Sequence, residues 1–332
     1  MTPPNGQQPL PPFRVAPYFR TRIWGFADLA PWYDYQTTGE PIGEVWLTGD
    51  QCAAETGPLT GTALGDIVRD HGAELLGEGV STEAFPLLVK ILFPKEKLSV
   101  QVHPDDIMAQ KYGDPRGKTE CWYALDAKPE AQVALGLKAG VEPEQVRAAI
   151  ENSTLENYLG WLDVEKGDMI YVDAGTVHAI GPGSVLLETQ QNSDLTYRMY
   201  DYGRPRELHV DRSMEAMRLH TRAGKVKPVP EADHTKLIDE PYFRVDRFAL
   251  DASGDGALPG SESDEGKFNS RAQILFVADG EVTLFADCCT DPVQLKRCET
   301  AIVPANTGPW SMAASARAEV IRMVPQAGGI TK

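Results

Sequence analysis

Alternation of apolar and polar side chains, more than helical spacing, organises this chain. Leu98, Val100 and Val102 alternate with Ser99, Gln101 and His103, the period-2 pattern of a strand with one face in a core. Pro104, which cannot donate to a ladder, ends it. Strand-like segments also run over 19–24, 43–48, 118–125, 132–137, 169–172, 176–180, 185–189 and 195–200, and again over 242–250, 273–278, 281–286, 300–303 and 319–324. Residues 85–93 are almost continuously apolar and predict a strand covered on both faces. Lys90 is the exception within it, and a lysine there either snorkels from an edge or is aimed into a pocket. Helical spacing is confined to 62–76, where Thr62 can cap, to 142–150 and 154–159, with Pro143 near the first start, and to 211–219 behind Asp211.

These elements predict a mainly β protein: two strand-rich bodies in tandem, the first carrying a small helical insertion at about 142–159. The extended, Pro-rich segment 225–231 reads as a linker, which divides the chain into a flexible tail (1–18), a first domain (19–224) and a second (225–332). Many short strands suggest a sandwich, jelly roll or barrel. Asp279-Gly280 between two of them is a hairpin signal, and the Gly-, Ser- and acid-rich stretch 251–267 reads as a mobile loop.

Composition narrows the function. A chain of 332 residues favours two domains over one. The net charge of −16 argues against a nucleic-acid partner, which would require a basic footprint, but allows an anionic small substrate. No apolar run approaches the roughly 20 residues of a membrane span, and the first dozen residues lack the basic and apolar regions of a secretory signal. Five cysteines, two of them adjacent at 288–289, make a poor disulfide framework, so a reducing cytoplasmic setting is expected. No P-loop or dinucleotide fingerprint is present.

The polar face of the 98–103 strand carries the chemistry. It aligns a hydroxyl, a carboxamide and an imidazole, and Gln101 and His103, two residues apart, can converge on one ion. A second half follows in Gly167-Asp168-Met-Ile-Tyr-Val-Asp173-Ala-Gly175-Thr-Val-His178, a strand and tight turn that would present His178 inward. This stretch resembles the second metal motif of the cupin superfamily, with Asp173 where a proline commonly precedes the turn. Residues 303–309 echo it with Asn306 for Gly175 and Pro309 for His178, so two tandem cupin-like jelly-roll barrels are expected, the first alone able to hold metal.

Four blocks in order, Leu98-Ser-Val-Gln-Val-His-Pro-Asp105, Gly117-Lys-Thr-Glu120-Cys-Trp, Gly175-Thr-Val-His178-Ala and Glu188 with Tyr197-Arg198, make the chain resemble the type I mannose-6-phosphate isomerases, in their short bacterial form. The resemblance implies a zinc ion on Gln101, His103, Glu120 and His178, a donor set suited to a catalytic site with an open position; cobalt, manganese or nickel would also suit such N/O ligands. It further implies Arg198 as catalytic arginine, Glu188 as proton carrier, Lys118 and Asp105 as lesser relay candidates, and Ser99, Lys90 and Arg204 around the substrate phosphate. Arg206 and Arg212 read instead as surface ion pairs. The implied reaction interconverts mannose 6-phosphate and fructose 6-phosphate through a cis-enediol, in a monomer or homodimer. An isomerase of unphosphorylated aldoses and a non-catalytic sugar-binding cupin are the alternatives.

Overall fold

The computed structural model describes residues 8–252, 270–326 and 328. Residues 1–7 of the expected tail and 253–267 of the expected loop lie outside them.

Among the described residues the strands form four sheets with antiparallel pairing. A seven-stranded sheet contains Tyr18–Phe26, Ile42–Trp46, Leu87–Leu92, Ser184–Gln191, Glu120–Ala127, Met169–Val172 and Gly224–Lys225. A five-stranded sheet holds Tyr197–Tyr200, Val100–Val102, His178–Ile180, Gln132–Leu137 and Leu159–Asp163. A second seven-stranded sheet and a three-stranded one repeat the arrangement in the second half.

The period-2 pattern explains the layering. Alternate residues of one strand enter different cores: Trp122, Ile170 and Leu186 pack in the cluster beside the five-stranded sheet, whereas Tyr123, Tyr171 and Leu187 join a larger one. That larger cluster also receives Phe243, Ile274 and Ile321 of the second seven-stranded sheet and Ile67, Leu75 and Leu76 of the Leu64–Leu76 helix. The two halves therefore share one continuous core. The other face of the second seven-stranded sheet, with Phe248, Leu275 and Val320, packs with Val282, Leu284 and Met312 of the three-stranded sheet. On the outer side of the five-stranded sheet, Val146, Ile150, Leu155 and Ala216 from the Pro143–Glu151, Leu155–Tyr158 and Val210–Ala216 helical segments cover Val102 and Met199.

Several local expectations are corrected. Part of the expected tail is a strand: Phe13–Val15 pairs with Thr300–Val303, because Phe13 and Val15 alternate into the shared core. Asp279-Gly280 makes a tight turn, with Gly280 at φ +76°, but no hairpin. The strands it joins, Gln273–Asp279 and Glu281–Ala286, belong to different sheets, and a Cβ at Gly280 would meet Arg317 O at 2.5 Å. The linker is stitched down at both ends, Gly224–Lys225 onto Met169–Val172 and Val229–Pro230 onto Thr235–Glu240. Thr62 and Asp211 do not cap; the caps are Ala63 and His209. Residues 154–159 form one 3₁₀ turn that runs into the Leu159–Asp163 strand.

Candidate metal centre and active site

The two facing sheets of the first half bring the expected donors together. On the five-stranded sheet, His178 is paired directly opposite Gln101. On the seven-stranded sheet, Glu120 opens the Glu120–Ala127 strand on the same face as Trp122. His178 Nε2 lies 3.3 Å from Glu120 Oε1 and His103 Nε2 lies 3.8 Å from Glu120 Oε2; the three candidate donor atoms fall within 4.8 Å of one another. Donors at about 2.0–2.2 Å around one tetrahedral ion stand roughly 3.5 Å apart, so the set needs little contraction.

The imidazoles are pre-oriented for a cation. His103 Nδ1 is 2.8 Å from Leu195 O and His178 Nδ1 is 2.9 Å from Thr176 O. A carbonyl oxygen accepts, so each Nδ1 carries the proton and each Nε2 presents its lone pair. His103 Nε2 is buried without a hydrogen-bond partner among the described residues, as a lone pair reserved for a cation would be. Burial, then the Lys118 charge, holds His103 well below the usual imidazole range. His178, also by burial first, is lowered to about 4. Both are neutral near pH 7, as ligation requires.

Gln101 completes the cluster with a difference. Its Nε2 faces His178 Nε2 at 3.2 Å while Oε1 accepts from Ser99 Oγ at 3.3 Å. An amide binds metal through oxygen, and a half-turn of the carboxamide exchanges the two atoms. The turn that delivers His178 depends on Gly175, at φ +89° with Arg218 side-chain atoms 2.8 Å from a hypothetical Cβ. Its N–H donates to His103 O, so the two histidine segments are tied together. Asp173, in the place of the usual proline, accepts from Thr176 Oγ and from the Arg222 N–H, holding the turn by hydrogen bonds instead of a ring.

Beside the donors lies a cavity of about 390 Å³, lined in part by Ser99, Gln101, Lys118, Glu120, Glu188 and Arg198. Its floor is a chain of alternating charge. Lys118 Nζ is 2.8 Å from Glu120 Oε2 and 3.2 Å from Glu188 Oε1. Lys90 Nζ is 3.5 Å from Glu188 Oε2 and 4.0 Å from Glu44 Oε2. Register sets this order, since Lys90 pairs with Glu188 and Glu188 with Trp122. Burial pushes the Glu188 carboxyl up, helped by the Glu120 charge, and the two lysines only partly offset it. For Lys118, burial alone would lower the ammonium, but Glu120 and Glu188 outweigh it and raise its pKa. Lys90 is 3% exposed on an interior strand, so of its two readings the pocket one holds.

Two expected residues are elsewhere. Arg204 is absent from the cavity wall: Nη2 donates to Lys97 O at 2.7 Å and lies 2.9 Å from Asp201 Oδ1. Asp105 caps the Asp106–Lys111 helix by accepting from the Met108 N–H and pairs with Arg218 at 2.5 Å, away from the residues that line the cavity. Conversely Arg22, Glu44, Asp194 and Arg206 line the cavity unforeseen. Arg22 and Glu44 share strand faces with Trp24 and Trp46, and a charge two residues from a core tryptophan was the available signal.

Residues 13–140 match the family of phosphomannose isomerase type I catalytic domains. A curated relative in Bacillus subtilis, the probable mannose-6-phosphate isomerase GmuF, is 37% identical over 268 residues, covering 75% of this chain and 82% of the relative. The chain belongs to the type I phosphomannose isomerase family. The mannose-6-phosphate isomerase ManA of the same organism is likewise 37% identical, over 73% of this chain and 80% of its own length. In three dimensions the mannose 6-phosphate isomerase from Bacillus subtilis superposes with a TM-score of 0.83 at 29% identity, covering 95% of this chain and 99% of that one. A phosphomannose isomerase from Salmonella typhimurium shares the fold at 17% identity and a TM-score of 0.75. Like them this family member is mainly β with a cupin fold, and His103, Glu120 and His178 form a site that could hold a metal ion.

Proposed function

We propose that the protein interconverts mannose 6-phosphate and fructose 6-phosphate, with one zinc ion on Gln101, His103, Glu120 and His178. One observation carries the reading: two neutral, pre-oriented imidazoles and a carboxylate meet beside a cavity whose floor holds a second buried carboxylate, Glu188, gripped by Lys118. Zinc so bound acts as a Lewis acid toward substrate oxygens. The protein supplies the rest. The reaction moves a proton from C2 of the open-chain aldose to C1 through a cis-enediol, and needs a base over that edge. Glu188 fits this role: its raised pKa brings it toward the range useful for taking and returning a proton, and Lys118 Nζ, 3.2 Å from its Oε1, fixes where the carboxyl stands. Lys118 bridges Glu188 and Glu120 and holds both in place. Arg198, opposite Gln101 in the sheet, has a buried Nε with no partner among the described residues; its fork suits neighbouring oxygens that gain charge in the enediolate. Ser99 and Lys90 line the same cavity, Lys90 paired with Glu188 and Glu44.

A donor set of two imidazoles, one carboxylate and the neutral Gln101 favours a catalytic ion with an open position over a structural site closed by thiolates. The test is metal analysis with a coupled isomerase assay on chelated and reconstituted protein, run on mannose 6-phosphate and mannose side by side. Turnover that needs metal and prefers the phosphorylated sugar is expected; metal-independent turnover, or none with zinc restored, overturns the proposal.

A further inference from the structure

The cavity has a cationic end with no assigned role. Arg206 follows the Tyr197–Tyr200 strand and lines the cavity. Asp201 grips it from behind, taking Nε at 2.6 Å and Nη2 at 2.7 Å. Asp201 is itself 2% exposed and also pairs with Arg204, so one buried carboxylate serves two guanidiniums. Arg198 stands close enough that, after burial, the charge of Arg206 depresses its pKa. The guanidiniums of Arg198, Arg204 and Arg206 thus gather around the one buried carboxylate of Asp201. The bidentate grip occupies one edge of the Arg206 fork, and Nη1 keeps no hydrogen-bond partner among the described residues.

Arg22 answers it from the edge strand of the other sheet. Buried Glu44 takes its Nε and Nη2, both at 2.9 Å, and Glu44 is fixed in turn by the Trp46 indole N–H at 2.7 Å. On the outer edge of Arg22, Nη1 donates to Thr21 O at 3.1 Å with one of its two hydrogens, and Asp194 reaches Nη2 only at 4.0 Å, a loose contact that an incoming anion can replace. Along the floor, Glu44, Lys90, Glu188 and Lys118 separate Arg22 from Glu120, which puts this cationic end away from the metal centre. Lys90, by contrast, is already shared between two carboxylates.

We propose that Arg206 and Arg22, positioned by Asp201 and Glu44, clamp the phosphate of the substrate between the two sheets. Pre-held guanidinium forks bind phosphate with two parallel charge-assisted bonds and lose little further rotamer freedom. Clustered in a cleft they focus an anion despite the acidic exterior. The inference rests on the sugar-phosphate reading above and changes the cations that serve it, with Arg206 standing where Arg204 was expected.

The test is calorimetric binding of a hexitol 6-phosphate, which carries the phosphate but no carbonyl to react, to the metal-loaded full chain. Arg206→Gln and Arg22→Gln are each expected to weaken it at least tenfold, with Arg206→Lys and Arg22→Lys recovering part of the loss and unphosphorylated hexitol binding changing less than twofold. In turnover the loss should fall on KM for mannose 6-phosphate rather than on kcat. A loss under threefold in both Gln variants, or an equal loss with the plain hexitol, overturns the clamp. Each Gln variant leaves its carboxylate another partner, Arg204 for Asp201 and Trp46 for Glu44; a melting curve confirms folding, and the Lys variants keep the question open to test if a Gln variant does not fold. If wild type binds the hexitol phosphate through these arginines yet isomerises nothing, the clamp stands and the isomerase reading falls. Turnover that ignores both arginines gives the reverse.

Discussion

Lys118→Met removes a charge while keeping most of the side chain's length and apolar stem. In the wild type Nζ sits 2.8 Å from Glu120 and 3.2 Å from Glu188, and all three residues are at most 4% exposed. Methionine would leave two adjacent carboxylates buried without the cation between them. Breaking a buried ion pair from one side costs about 3–5 kcal/mol. At about 2–4 °C per kcal/mol for domains of 150–250 residues, the melting point should fall by roughly 10 °C. Replacing Glu188 with Gln in the same chain removes one stranded charge, so the double variant should be more stable than Lys118→Met alone, with a coupling of about 1–3 kcal/mol. The pH dependence has a definite sign. Burial, followed by the Glu120 charge, already raises Glu188, so the folded protein holds that proton to higher pH than the unfolded chain. Stability from this group is lost as pH rises from the unfolded carboxyl value through the folded one. Without Lys118 the rise is larger, and the gap to wild type should widen from pH 5 to pH 8. The assay is guanidinium and thermal unfolding of metal-stripped protein across that range. A single variant within about 0.5 kcal/mol of wild type, or strictly additive costs, refutes the reasoning.

Metal-stripped protein should also lose stability in acid through His178. Its imidazole, lowered by burial from 6.5 to about 4, stays neutral in the fold while the unfolded chain takes up a proton, so about 3 kcal/mol should vanish as pH falls from 6.5 to 4; zinc at saturation should delay the loss, and a flat urea-derived stability over that window would contradict it. Trp46→Phe deletes the 2.7 Å bond to Glu44, a hydrogen bond to a charged group worth about 1.5–3 kcal/mol; a denaturation midpoint unchanged within error would count against Glu44 being so held. Phe13→Ala should cost about 3–5 kcal/mol, since the ring is 1% exposed in the shared core. It should also open cleavage near residue 15 in limited proteolysis; a wild-type digestion pattern would show that the strand is dispensable.

The alternating pattern made most of the first half legible, because each strand has a fully buried or cavity-facing side that fixes the register. The Gln101-X-His103 pair and the glycine turn before His178 were legible for the same reason: backbone geometry alone sets which face they share. Glu120 joined them only through the resemblance, since its distance along the chain says nothing about the sheet opposite. Arg206, read as an ion pair, does pair with Asp201 but also lines the cavity, whereas Arg204, read as a ligand, does not line it; both follow one strand at neighbouring positions. What separates them is how Asp201 divides its two oxygens between the guanidiniums, a tertiary fact. Asp279-Gly280 has the composition of a hairpin turn, and only the packing of two sheets decides that the chain crosses between them instead.

The strand Phe13–Val15 lies against Thr300–Val303, and the second seven-stranded sheet has Ala318–Pro325 at its centre. During synthesis, then, the first cavity-forming half emerges with one broad apolar flank bare, and its covering layer cannot assemble until that late segment has cleared the ribosome. Until then the nascent first half carries that uncovered apolar flank, the kind of transiently exposed surface that promotes aggregation.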